Sequence, residues 1–248
     1  MITSKKRGNF VKKYYANGKE LLLDEKVFNK GEEANIHLCR NYSTKVMCAK
    51  IFKSYRRKNL PVPSEEMYKK QTTLKAESFY LPQNLIYDEE GKFSGCLEDL
   101  FEDASFFTHA QCIEIKRLVL ELQKIYQGVD SLTEEKIGIH DMKVDHILYN
   151  KNTNEVGVID TGLFYFSEDR DLKRINYVHM NDTLKKALLW LNKEGTEIEM
   201  LSIDFPFIYD LLDTDIVSLG DILLDESKKY SVSTVEELKK VYQKERYY

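Results

Sequence analysis

Apolar positions fall into two regimes along the chain. Between residues 20 and 52 they come in short runs: Leu21 to Leu23, then Ile36, Leu38 and Cys39, then Val46 to Phe52. That spacing predicts strands, and Asn29-Lys30-Gly31 and Asn41-Tyr42-Ser43 supply the turn chemistry between them. Pro61 and Pro63 break the pattern. Ser64, followed by Glu65 and Glu66, predicts the start of a helix running to Ala76. A serine side chain satisfies a free N–H of the first turn, and acids suit the positive end of the helix dipole. Leu85 to Tyr87 and Phe93 to Leu97 predict a hairpin around Asp88-Glu89-Glu90-Gly91. Residues 98–103 are acidic and aperiodic, which places a boundary between 1–99 and 100–248.

Helical periodicity dominates the second part. Ile113, Ile115, Leu118, Val119, Leu122 and Ile125 predict a helix over 109–126. Ile147 to Tyr149 and Val156 to Ile159 read as two short strands joined by Lys151-Asn152-Thr153-Asn154. Leu184, Ala187, Leu188 and Leu191 predict a helix over 180–192, and Ser233 with Glu236 forms a capping box for a last helix to about Lys244.

Composition narrows the class. Of 248 residues, 42% are hydrophobic and 31% charged, with 11 Gly and 4 Pro, so a collagen-like, linker-like or low-complexity chain is excluded. No apolar run reaches the roughly 20 residues of a membrane span; the stretch 118–122 is broken by Glu121. The basic Lys5-Lys6-Arg7 is followed by no apolar block of signal-peptide type, so a cytoplasmic location is expected and no membrane partner. Cys39, Cys48, Cys96 and Cys112 form no C-x-x-C pair and read as reduced thiols. Residues 1–75 hold 18 Lys and Arg against 7 Asp and Glu, while the rest of the chain is acidic. Complementary surfaces of two parts account for this asymmetry. The Tyr14-Tyr15 and Tyr55-Arg56-Arg57 stretches are too short for a nucleic-acid site, and none is expected.

The candidate chemistry lies in 139–162. Asp141 and Lys143 stand just before one predicted strand, and Asp160 and Gly162 just after the next. The intervening hairpin would bring both carboxylates to one edge. One would orient a hydroxyl or accept its proton, and the other would hold a divalent cation. Lys143 would neutralise phosphate charge near the attacking oxygen.

This segment resembles the catalytic loop, H-R-D-L-x-x-x-N, and the metal-binding D-F-G of the protein-kinase-like superfamily. Asp141 falls on the catalytic Asp, Lys143 on the lysine two residues on, and Asp160 on the metal-binding Asp. Val46-Met47-Cys48-Ala49-Lys50 resembles V-A-I-K, which makes Lys50 the phosphate-pairing lysine. Asn29 to Ile36 stands where the Gly-rich loop belongs, with Gly31 retained and Asn29 and Ala34 at the other glycine positions. The resemblance covers roughly 25–165.

The resemblance implies a two-lobed α+β fold with an antiparallel-sheet N-terminal lobe and a mainly helical C-terminal lobe. ATP would lie between them under the Asn29–Ile36 hairpin, with contacts from Gly31, Ala34 and Ile36. Glu66 is the expected acidic partner of Lys50, ahead of Glu65 and Glu77. Glu98 and Leu100 would form the adenine hinge, with Cys96 or Leu97 behind the base. Magnesium, or manganese in its place, would bind Asp160 and His146. The implied activity is that of a serine/threonine protein kinase acting on a protein substrate. A small-molecule kinase and a nucleotide-binding pseudokinase acting through its surface are the alternatives.

Four features depart from the family pattern. His146 stands at the second metal ligand, normally Asn, and suits softer ions better than magnesium. His140 replaces the Arg that pairs with a phosphorylated activation loop. Thr161 replaces the Phe of D-F-G. No A-P-E follows Asp160, which implies a trimmed C-terminal lobe.

Overall fold

A computed structural model describes residues 12–53, 64–107, 112–190 and 216–245. The Lys5–Arg7 cluster, Tyr55-Arg56-Arg57, the two prolines, His109 and Leu191 lie outside these residues. The chain is α+β and divides into two compact units, 1–73 with 82–100 and 74–81 with 101–248.

The first unit is a seven-stranded antiparallel sheet. In chain order its strands are β1 (Tyr14–Ala16), β2 (Lys19–Glu20), β3 (Asn29–Lys30), β4 (Ala34–Cys39), β5 (Met47–Phe52), β6 (Pro82–Asp88) and β7 (Phe93–Asp99). They lie in the order β2-β1-β6-β7-β5-β4-β3. Alternation along β5 sends Met47, Ala49 and Ile51 into a core with Ala16, Leu21, Cys39, Ile86 and Leu97. The opposite face carries Cys48, Lys50 and Phe52. Glycine is required at position 95 of β7, where a Cβ would stand 2.0 Å from the Lys50 carbonyl oxygen of β5. The β1–β2 hairpin escaped the sequence reading because each strand is too short to show a period.

The helix of this unit, α1 (Glu65–Gln71), starts as expected, with Ser64 Oγ accepting from Met67 N at 3.3 Å. It stops at Gln71 rather than Ala76. The hydroxyls of Thr72 and Thr73 donate to the carbonyls of Lys69 and Lys70 at 2.8 and 2.7 Å, competing with continuation of the helix. Tyr68 packs edge-on to Phe52, with ring centroids 5.4 Å apart.

The second unit contains β8 (Ala104–Phe106), α2 (Ile115–Glu134), β9 (Ile137–Gly138), β10 (Ile147–Asn150), β11 (Val156–Val158), β12 (Tyr165–Phe166), α3 (Leu172–Trp190), α4 (Ile216–Tyr230) and α5 (Val235–Glu245). The expected hairpin is β10–β11, in the register Ile147↔Val158 and Tyr149↔Val156, and β8 adds to its other side. Residues 74–81, expected with the N-terminal part, belong here because they line the far edge of β11. Val158 N donates to Ser78 O at 2.7 Å, and Tyr80 N donates to Val158 O at 2.9 Å.

Helix boundaries differ from the sequence reading for identifiable reasons. Helix α2 begins at 115, because Glu114 is extended and bridges Thr234; the first part of the expected span, 109–111, lies outside the described residues. Helix α3 begins at 172, not 180, because its buried stripe includes the polar Asn176 among Leu172 and Met180. The final cap sits one residue later than Ser233 and Glu236. Thr234 Oγ1 accepts from Glu237 N at 3.2 Å, and Glu237 Oε2 accepts from Ser233 N at 2.7 Å. Ser233 O is instead the acceptor of Ile115 N.

Helix α2 also runs on beyond 126, through Gly128, to 134. A Cβ at 128 would stand 2.2 Å from the Glu77 carbonyl oxygen and 2.6 Å from the Phe79 ring. Helix propensity favours alanine over glycine by about 1 kcal/mol, whereas overpacking costs about 1–3 kcal/mol and here involves backbone. Gly128→Ala is therefore expected to destabilise the protein by about 2 kcal/mol in chemical denaturation; a stabilised variant would contradict the close approach. No helix among the described residues is long and apolar enough to cross a membrane.

Candidate functional site

In the first unit the cross-strand register assembles one face of the sheet. Lys50 stands opposite Ile36 on one side and Cys96 on the other. Phe52 stands opposite Ala34, and Cys48 opposite Glu98. Directly paired residues share a face, so Ala34, Ile36, Cys48, Lys50, Cys96 and Glu98 form one patch. Lys50 and Glu98 are only 6% and 9% exposed. The Cys96 thiol donates to Glu98 Oε1 at 3.3 Å, which places both side chains together. Burial, with the charges of Glu98 and Asp99, pushes the Cys48 thiol up to about 12, so it is an inert neutral group.

The Asn29–Ile36 segment is a hairpin of β3 and β4, closed by Gly31 N donating to Ala34 O at 3.0 Å. Lys53 fastens its tip, with Nζ donating to Gly31 O at 2.6 Å and its own N–H to Glu33 O at 2.9 Å. Asn29 belongs to β3 and makes no use of a left-handed backbone, and a Cβ at Gly31 would meet nothing nearer than 3.5 Å. Glycine is thus not a steric requirement at the tip.

Two expectations for this patch need correction. Leu97 does not face Lys50; pairing with Ala49 turns it into the core on the other side of the sheet. Glu66 is exposed, because α1 turns Met67, Tyr68 and Gln71 inward. Glu65 is likewise exposed, and its Oε1 accepts from Tyr87 Oη at 2.8 Å. The buried polar residue of α1 is Gln71, an uncharged amide that sequence patterning did not single out. Leu100 is half-buried and follows β7 at the end of the unit.

In the second unit the β10–β11 hairpin brings together residues 19 apart in sequence. Lys143 Nζ donates to Asp141 Oδ2 at 2.8 Å. This hydrogen bond raises the Lys143 pKa above its ordinary value; burial opposes it, and the charges of Asp141, Asp145 and Asp160 add to it. His146 lies on a 3-10 turn over Val144–His146, where its carbonyl accepts from Ile159 N at 2.9 Å. Its Nε2 stands 3.6 Å from Asp160 Oδ2 and 3.9 Å from Asp145 Oδ1. Asp141 and Asp160 both adopt left-handed backbone, with φ of 52° and 59°, a conformation that Asp tolerates.

Helix α3 grips the chain on both sides of Asp141. Fully buried Asn176 accepts from Ile139 N at 2.8 Å through Oδ1, and its Nδ2 donates to Ile137 O at 2.9 Å and Thr133 Oγ1 at 3.0 Å. Two turns on, the Thr183 hydroxyl proton is shared between His179 O at 3.0 Å and Met142 O at 3.3 Å. Neither residue was legible as a site residue, since a polar group on a helix gives no sign of the backbone it will hold. Tyr165 packs over Gly138, and its ring lies edge-on to His140 at 6.2 Å.

Among the described residues no group of three or more His, Cys, Asp and Glu side chains is arranged to hold a metal alone. Asp160 fits a magnesium ion that draws its remaining ligands from water and phosphate, the usual mode for that ion. His146 fits less well as a ligand. Its Nδ1 is buried without a hydrogen-bond partner, whereas metal-bound imidazoles donate that second N–H to an acceptor. Compared with known proteins, the chain matches no family model, and no curated protein matches it.

Proposed function

We propose that this chain is an ATP-dependent phosphotransferase that resembles serine/threonine protein kinases and transfers the γ-phosphate to a protein hydroxyl. The observation that carries this reading is the convergence of Asp141, Lys143 and Asp160 at one end of the β10–β11 hairpin. Two carboxylates near one ammonium, which is hydrogen-bonded to Asp141, suit the placing of a hydroxyl against a phosphoryl group. Further support comes from Lys50, buried on a central strand with Ala34 and Ile36 of the neighbouring hairpin on its face.

Each residue then has a distinct task. Lys50 would hold the α- and β-phosphates. Asp141 would orient the acceptor hydroxyl and accept its proton as the new O–P bond forms and the bond to ADP breaks. Lys143 would stabilise negative charge on the transferred group, and Asp160 would hold the cation. Magnesium, when bound, neutralises charge across the phosphate oxygens.

The test is transfer from γ-labelled ATP by the wild type and Lys50→Met, with magnesium and with manganese. Label on a protein acceptor, lost in the variant, is the expected result. Absence of transfer to protein and to small hydroxyl compounds with either metal would overturn the reading. Transfer to small acceptors alone would replace the protein substrate with a metabolite. A second expectation concerns His146, which suits manganese better than magnesium. His146→Asn should narrow a manganese preference by roughly tenfold in initial rate. Equal rates with both metals, before and after the substitution, would remove His146 from the metal set.

A further inference from the structure

Glycine does not account for the way the Asn29–Ile36 hairpin keeps its shape. Gly31 has an ordinary backbone, and a Cβ there would meet nothing nearer than 3.5 Å. Strand β3 is two residues long and lies at the edge of the sheet, joined to β4 through the pairs Asn29↔Ile36 and Lys30↔Asn35. A pairing that short is marginal by itself and opens readily from its tip. The tip is held from the far side of β4. Strand β5 ends with Phe52 opposite Ala34, and the half-buried Lys53 follows. Its N–H donates to Glu33 O at 2.9 Å and holds the limb that enters β4. Its Nζ donates to Gly31 O at 2.6 Å and holds the limb that leaves β3. Hydrogen bonds from a charged donor are roughly twice as strong as neutral ones, so the second contact is the firmer.

We infer that Lys53 is a positioning residue, which clamps both limbs of the hairpin tip to the strand that carries Lys50. It does so across the end of β4, three positions beyond Lys50, in a loop where Asn29 and Ala34 stand at two of the expected glycine positions. Hairpin and Lys50 are then presented to a triphosphate as one rigid piece, and binding does not have to order the tip. The effect on nucleotide binding rests on the reading of Lys50 given above; the clamp itself does not.

The test compares Lys53→Met, Lys53→Arg and Lys30→Met in the full chain. Lys30 is exposed on β3, so Lys30→Met removes a cation from the same hairpin and leaves Gly31 O its donor. Native-state amide exchange is read at Phe28 and Gly31, whose N–H groups donate to Ile36 O and Ala34 O at 2.8 and 3.0 Å. Exchange at both is expected to rise about tenfold in Lys53→Met, to stay within about twofold of wild type in Lys30→Met, and to be restored in Lys53→Arg, which again supplies a charged donor. In initial rates of transfer from ATP, KM for ATP is expected to rise about fivefold in Lys53→Met with kcat nearly unchanged, and to recover in Lys53→Arg. Unchanged exchange in Lys53→Met, or an equal rise in Lys30→Met, would overturn the clamp. Faster exchange with an unaltered KM would overturn its part in presenting the hairpin to nucleotide. Exchange that responds as expected in a wild-type chain that neither binds nor consumes ATP would retain the clamp and overturn the nucleotide role of Lys50 and of the hairpin together.

Discussion

Asp141→Asn is expected to lower phosphoryl transfer about 10²–10⁴-fold, the usual contribution of a positioned acid or base, with the fold and nucleotide binding retained. The substitution isolates charge from structure. Asp141 holds a left-handed backbone at φ 52°, and asparagine tolerates that region nearly as well. Loop 139–142 stays gripped by Asn176 and Thr183, whose hydrogen bonds go to backbone atoms that the change does not touch. The ion pair with Lys143 joins side chains 39% and 56% exposed, so its loss alters stability by less than about 1 kcal/mol. Asp141→Ala would confuse the result by adding backbone strain. Initial rates from γ-labelled ATP, together with thermal unfolding, decide the matter. A variant with wild-type turnover would remove Asp141 from the chemistry.

Glu121→Ala should have the largest effect on stability away from the candidate site, a loss of about 3 kcal/mol. Glu121 is 1% exposed on α2, and its two oxygens serve three donors. Arg117 Nη2 and Lys124 Nζ each donate to Oε1 at 2.8 Å, while Val156 N donates to Oε2 at 2.9 Å. Alanine leaves the buried N–H of Val156 without its acceptor and both cations without a counter-charge. Losing one partner of a buried pair costs about 3–5 kcal/mol, but Arg117 and Lys124 are 32% and 34% exposed and regain some hydration, which sets the lower end. Against a total stability of about 5–15 kcal/mol such a loss is large. Glu121→Gln keeps an oxygen for Val156 and should cost about half as much. Denaturant midpoints at unchanged slope measure both, and a Glu121→Ala midpoint equal to wild type would contradict the bonding described. Because β11 leads directly to Asp160, loosening Val156 should also reduce transfer in a well-folded Glu121→Gln protein.

The two parts of the candidate site were legible to different degrees. The hairpin carrying Asp141 and Asp160 could be read because two short apolar runs around a polar turn permit few arrangements. Lys50 was accessible through the resemblance of Val46–Lys50 to V-A-I-K, and alternation along β5 turns it away from the apolar core. The direction in which α1 faces was not. Acids in the first turn of α1 are explained by the helix dipole wherever the helix faces, so Glu65 and Glu66 carried no information about direction. Glu121 was read only as an interruption of an apolar run, because a carboxylate on a helix does not announce the strand N–H it will accept from.

The amino-acid sequence by itself determined the α+β class, the strands β4 to β7, the β10–β11 hairpin and the candidacy of Lys50, Asp141, Lys143 and Asp160. The strands and the hairpin follow from local periodicity and turn chemistry, which act over a few neighbouring residues; the class and the candidacy of Lys50 came from the resemblance to the protein-kinase-like superfamily. Tertiary structure alone decided that Glu98 shares the face of Lys50 while Leu97 joins the core, that Glu66 is exposed, and that Asn176 and Thr183 hold the Asp141 loop. It also decided that segment 74–81 joins the second unit and that α2 continues through Gly128. Each of these depends on strand register or on which helix face packs, and a shift of one residue in register turns every side chain of a strand to the other side.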